Sequence, residues 1–117
     1  MHLSDIQKLS RDFELERGWE KFPSSLVFVH LIEELGEIGR YITYEEGYKA
    51  PGLGHHWKKK GLSREFAQAF SLFIQLANRY NIDLEKEFEK ELKLMRKRFK
   101  VEEWREYMNK YTQRNKP

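Results

Sequence analysis

Cysteine is absent from all 117 residues. Disulfides and thiolate metal sites are therefore excluded, and carboxylate, imidazole and carbonyl groups are left as candidate ligands. Long apolar runs are missing too. The longest, Leu26-Val27-Phe28-Val29, is far short of the ~20 residues that a membrane-spanning helix needs. The N-terminal Met1-His2-Leu3-Ser4-Asp5 has no basic head followed by an apolar stretch, so no secretory signal is read there. These absences together lead to the expectation of a cytoplasmic protein with no membrane partner. Strand-like alternation of useful length does not occur, and no internal repeat is found.

What is present is enough for one packed domain. Hydrophobic residues make up 39% of the chain and aromatics 15%, which excludes wholesale disorder, and the length suits a single core. Net charge is +3, but its distribution is uneven. Residues 1–46 hold five Lys or Arg against ten Asp or Glu, whereas residues 86–117 hold eleven against six. Solvated helix faces account for such segregation, as does a cation site in the first half with a basic rim for an anion.

Helical spacing organises nearly the whole chain. Leu3, Ile6, Leu9 and Phe13 define a first helix, with Ser4 or Asp5 as its cap and Gly18 as its stop. A second helix is expected over residues 23–44, with Pro23 at its first position. Its early part (Leu26, Val27, Phe28, Val29, Leu31, Ile32) is apolar around the full circumference, the pattern of a central helix. Glycines and Pro51 punctuate a loop over 47–61, which holds His55, His56, Trp57, Lys58, Lys59 and Lys60. Ser63 is the expected cap of a third, largely buried helix that Asn81 ends. Asp83 caps a fourth, over 84–100, and Val101, Trp104, Met108 and Tyr111 define a short fifth. The expected fold is all-α: a bundle of four main helices plus a short C-terminal helix in one domain spanning 1–117, with 113–117 frayed.

Two polar motifs interrupt these apolar helices. Glu34 and Glu37 share a helix face, Glu33 stands one turn before Glu37, and Glu65 and Gln68 form a second pair on the next helix. Should the two helices pack antiparallel, oxygen donors from both would meet between them, an environment suited to Mg²⁺ or Mn²⁺. His30, one turn before Glu34, reads as a packed histidine. Di-iron chemistry of the bundle type requires Glu-x-x-His, which does not occur here.

The phrase Glu33-Glu34-Leu35-Gly36-Glu37, a gap of residues 38–64, then Glu65-Phe66-Ala67-Gln68 and Asn81-Ile82-Asp83-Leu84-Glu85 resembles the MazG-like all-α nucleotide pyrophosphohydrolases. That family has EExxE, a variable spacer, ExxD and a "giDLE"-type opening; Arg17-Gly18-Trp19 is also similar. The resemblance covers about residues 3 to 100. It implies a MazG-like fold and hydrolysis of a nucleoside triphosphate to a monophosphate and pyrophosphate. It also implies Mg²⁺ held by Glu34, Glu37, Glu65 and, more weakly, Gln68, with Glu33 positioning or deprotonating the water. Lys58, Lys59, Lys60, Arg64 and Arg98 become phosphate contacts under this reading, and Trp57 or Trp19 a base-stacking partner. The chain departs from the pattern at Gln68, where the family has aspartate, and at Glu91 and Met95, where it often has Lys and Asn. Low activity, or binding of metal or nucleotide without turnover, is the alternative these departures raise. Nucleic-acid binding through the basic stretch 93–100 is a third reading, disfavoured by the acidic residues around it. The apolar circumference of the second helix implies a homodimer or higher homo-oligomer, a trait the family shares.

Overall fold

A computed structural model of the protein describes residues 1–48, 52–54 and 61–115. Among these residues the chain is all-helical, with no strand. In chain order they form α1 (Leu3–Arg17), a 3-10 turn (Trp19–Lys21), α2 (Ser24–Glu45), α3 (Leu62–Arg79), α4 (Leu84–Arg98) and α5 (Val101–Arg114). Two compact units result, Met1–Ile82 and Asp83–Pro117.

Local chemistry sets the element ends. Gly18 takes up the left-handed conformation (φ 71°), and its N–H closes α1 on the carbonyls of Glu14 and Leu15. Pro23 lies just outside α2 as its cap rather than inside at the first position. At the far end of α3, Asn81 adopts φ 53°, which asparagine tolerates better than most side chains. Asp83 then accepts a hydrogen bond from the Lys86 N–H at 3.1 Å and opens α4. The expected Ser63 cap is not used: α3 begins one residue earlier, at Leu62, with Gly61 as cap. The start of α1 also differs. His2 is the cap, and its backbone N–H donates to the Asp5 carboxylate at 2.8 Å.

In the first unit, α2 and α3 pack along one seam. Val27, Leu31 and Ile38 from α2 meet Ala69 and Leu72 from α3, with Leu62 and Leu76 packed against them. The spacing of three and four residues on both helices gives each a single inward stripe. The helices run antiparallel, because Arg79 at the end of α3 donates to the carbonyls of Trp19 and Phe22, just ahead of α2. On its other side α3 packs against α1. There the Gln7 amide donates to Asn78 Oδ1 at 2.9 Å and to the Ile82 carbonyl at 2.8 Å, and Asn78 Nδ2 returns a bond to the Gln7 carbonyl at 2.9 Å.

Within this single chain the apolar circumference of α2 is covered on one side only. Only Val27, Leu31, Ile38 and Tyr44 of α2 are buried, while Phe28, Val29 and Ile32 remain about half exposed. A uniformly apolar helix needs neighbours on every side, and within this unit α2 packs chiefly against α3. In the second unit neither α4 nor α5 has a buried residue. Its aromatic side chains pack locally, with Phe99 and Trp104 edge to face at 5.9 Å. Helix α5 runs to Arg114.

Candidate functional site

A cleft of about 470 Å³ opens along the α2–α3 pair, within the size range of small-molecule sites. Trp19 and Phe22 from the 3-10 turn region, Leu26, Val27, His30 and Glu34 from α2, and Gln68, Ser71, Leu72, Gln75 and Arg79 from α3 line it. Its walls are thus aromatic at one end and carboxylate-amide at the other. His30 Nε2 stands 3.5 Å from Glu34 Oε1, one helical turn away.

The placement of the acidic residues follows from the seam. On α2 the inward stripe runs Val27, Leu31, Glu34, Ile38; on α3 it runs Leu62, Glu65, Ala69, Leu72, Leu76. Glu34 and Glu65 therefore occupy positions where both helices otherwise place apolar groups. Both are half-buried, and the Glu34 side chain is only 17% exposed. One carboxylate oxygen of Glu65 is closed off from solvent altogether. A carboxylate in such a place costs free energy unless paired, hydrogen-bonded or bound to a cation.

The other expected site residues fall in different places. Gln68 lines the cleft with Glu34. Glu33 and Glu37 are exposed, and Glu37 makes an ion pair with Arg40 at 3.5 Å. Arg64 is exposed on the first turn of α3, and Arg98 belongs to α4 in the second unit, where its guanidinium lies 5.1 Å from the Phe99 ring. Trp57, Lys58, Lys59 and Lys60 lie outside the described residues. Among the described residues no three His, Asp or Glu side chains stand close enough to hold a metal ion together. The donor chemistry of Glu34, Glu65 and Gln68, all oxygen, suits a hard divalent cation. Glu37 would join them only by leaving Arg40.

At the far end of the cleft sequence reasoning named Trp19 but missed the residues that hold it. Arg79 is nearly buried and holds the 3-10 turn through its bonds to Trp19 and Phe22, the Trp19 bond being 3.0 Å long. It also pairs with Glu14 of α1 at 3.4 Å. Burial pushes the Glu14 carboxyl above its ordinary range; Arg79 draws it back down and Glu20 adds to the rise. Trp19 is fixed from the other side by Phe13, edge to face at 5.5 Å. Nothing in the local pattern around Glu14 or Arg79 pairs them, since 65 residues separate them.

No family model matches the chain. It is similar to dCTP pyrophosphatase 1 of Homo sapiens, 27% identical over 114 residues that cover 95% of this chain and 66% of that protein. The Mus musculus protein of the same name is 30% identical over 113 residues, 94% of this chain and 66% of its own length. The Uncharacterized protein YvdC of Bacillus subtilis (strain 168) is 28% identical over 103 residues, 85% of this chain and 97% of that protein. The chain thus spans 66% of the length of the dCTP pyrophosphatases it matches. Comparison with solved structures finds no significant match. No helix among the described residues is long and apolar enough to cross a membrane.

Proposed function

We propose that the chain is a MazG-like nucleoside triphosphate pyrophosphohydrolase, dependent on Mg²⁺ or Mn²⁺, with dCTP among its first candidate substrates. The observation that carries this reading is the pair of carboxylates, Glu34 and Glu65, on the seam between α2 and α3 beside the cleft that Gln68 and Trp19 line. Similarity to the dCTP pyrophosphatases supports it over the length of both helices.

In this reading Glu34, Glu65 and Gln68 would hold the cation, joined by Glu37 once it leaves Arg40, and the cation would supply charge neutralisation at the phosphates and a more acidic water. Glu33 positions the attacking water or takes its proton. Trp19 stacks on the base at the aromatic end of the cleft, held there by Phe13 and Arg79. The Arg79 guanidinium, occupied by Glu14 and two carbonyls, shapes the wall rather than binding phosphate. Arg64, Trp57 and the lysines 58–60 are the proposed outer contacts to the nucleotide. The working form is a homo-oligomer in the cytoplasm.

A second reading, favoured by Gln68 in place of an aspartate, is a relative that binds nucleotide and metal without turnover. Pyrophosphate release from a panel of (d)NTPs, with Mg²⁺ and with Mn²⁺, tests both. Turnover abolished by Glu34→Gln supports the enzyme. Calorimetric binding without turnover, in wild type and in Gln68→Asp, supports the binder, and neither binding nor turnover sinks the two together.

A further inference from the structure

We infer that the middle of the cleft is a ribose subsite, in which Ser71 and Gln75 hold the 2′-hydroxyl, so that ribonucleoside triphosphates are preferred over their deoxy counterparts. The inference rests on the nucleotide reading of the cleft and adds the sugar to it. Antiparallel packing orders the lining residues along the cleft axis. From the Glu34 and Gln68 end toward Trp19 and Arg79, α2 contributes His30 and then Leu26, and α3 contributes Ser71 and then Gln75. With a rise of about 1.5 Å per residue, His30 lies about 6 Å along from Glu34, and Ser71 and Gln75 lie roughly 4.5 and roughly 10.5 Å along from Gln68. A nucleotide with its phosphates at the carboxylate–amide end and its base on Trp19 has only its sugar between them. The sugar therefore falls beside these three side chains.

The chemistry of this section fits a neutral, hydroxylated ligand. Gln75 Nε2 donates to Ser71 Oγ at 3.3 Å, one helical turn away. Neither side chain makes a further hydrogen bond among the described residues. The Gln75 carbonyl oxygen and the Ser71 hydroxyl proton thus stand together as an acceptor and a donor. One ligand hydroxyl can give its proton to the first and accept from the second at once. A methylene in the same place can do neither, and covering the pair with it strips both groups of water. The facing wall carries His30, whose side chain is 56% exposed and stands 3.5 Å from Glu34. Val27 and Leu72, both buried, complete the section. A phosphate is poorly served here. The described lining between Glu34 and Arg79 holds no other Lys or Arg, and the Arg79 guanidinium is engaged by Glu14 and two carbonyls. Elsewhere on its surface α3 exposes Phe66, Phe70 and Phe73, so an amide and a hydroxyl side by side are particular to the cleft face.

Initial rates of pyrophosphate release from CTP and dCTP, and from ATP and dATP, test the inference at fixed base. A closed site built around a hydroxyl rejects the analogue that lacks it by several orders of magnitude; for this half-open section a kcat/KM ratio of about tenfold or more in favour of ribose is expected, whichever base is turned over. Gln75→Leu and the milder Ser71→Ala should each bring that ratio down toward one, with circular dichroism checking that both keep their helices. Calorimetry with CMP against dCMP makes the same comparison without turnover, and wild type should bind the ribose form about tenfold more tightly. Equal use of the two sugars, or preference for the deoxy form, overturns the inference and leaves the hydrolase reading standing. A ribose preference that neither substitution moves overturns it as well. Should no triphosphate be turned over, the hydrolase reading falls and the CMP and dCMP affinities decide. Tighter CMP binding that Gln75→Leu weakens upholds the ribose subsite, whereas equal affinity, or no binding of either, overturns it.

Discussion

Arg79 and Glu14 form a nearly buried ion pair, 3.4 Å apart, that ties α3 to α1, and the same guanidinium holds the backbone on either side of the 3-10 turn. One side chain thus fixes both the inter-helix contact and the aromatic end of the cleft. Removing it leaves a buried carboxylate without its cation. Arg79→Met is expected to cost about 3–5 kcal/mol, measured by urea unfolding. Glu14→Leu combined with Arg79→Met should recover much of that loss, because no unpaired charge remains.

The pH dependence of stability carries the signature of Glu14. Its carboxyl is raised above the ordinary 4.5, first by burial, with Arg79 opposing and Glu20 adding. An acid with a raised pKa binds its proton more readily in the fold than in the unfolded chain, so the fold takes up a proton between the two values. The contribution of Glu14 to stability is therefore greatest below the unfolded value and is lost as pH rises through the folded one. Between neutral pH and about 4.5, the stability difference between wild type and Glu14→Gln should shift in favour of wild type as pH falls. A difference independent of pH over that interval contradicts the assignment.

The Gln7–Asn78 amide clasp is the corresponding neutral contact. Asn78→Ala strips partners from the Gln7 side chain and from its carbonyl, both in a buried setting. A loss of about 2 kcal/mol is expected, which for a unit of this size lowers the melting temperature by roughly 8–16 °C. Asp83→Ala, which removes a single exposed cap, should cost only about 1 kcal/mol.

For catalysis, Glu34→Gln should reduce pyrophosphate release about 100-fold or more, since it removes a carboxylate proposed to act on the developing phosphate charge. Gln68→Asp, which restores a carboxylate, should raise the rate and tighten the Mg²⁺ requirement. Initial rates across a Mg²⁺ titration measure both.

The helices and their order were legible because their apolar residues recur at three and four, and because Gly18, Asn81 and Asp83 sit where helices stop and start. Spacing put Glu34 and Gln68 on faces that an antiparallel pair would bring together, and both line one cleft. Other features were hidden. Whether Phe28 or Val27 faces inward cannot be read from a helix that is apolar on both faces; packing against α3 decides it. The Ser63 cap failed because Gly61 gives a backbone entry that starts α3 at Leu62. The Arg79–Glu14 pair was invisible because ion pairs between distant segments leave no periodic trace in sequence.

The two glutamates on the α2–α3 seam have one more consequence. A zipper of leucines at positions 34 and 65 would close these helices more firmly than the natural chain does, since charge is hard to bury and methyl groups are not. Glu34→Leu and Glu65→Leu should melt at higher temperature than wild type while forfeiting whatever the cleft does. Greater toughness on erasing the two acids would mean that the fold keeps them at a cost in stability.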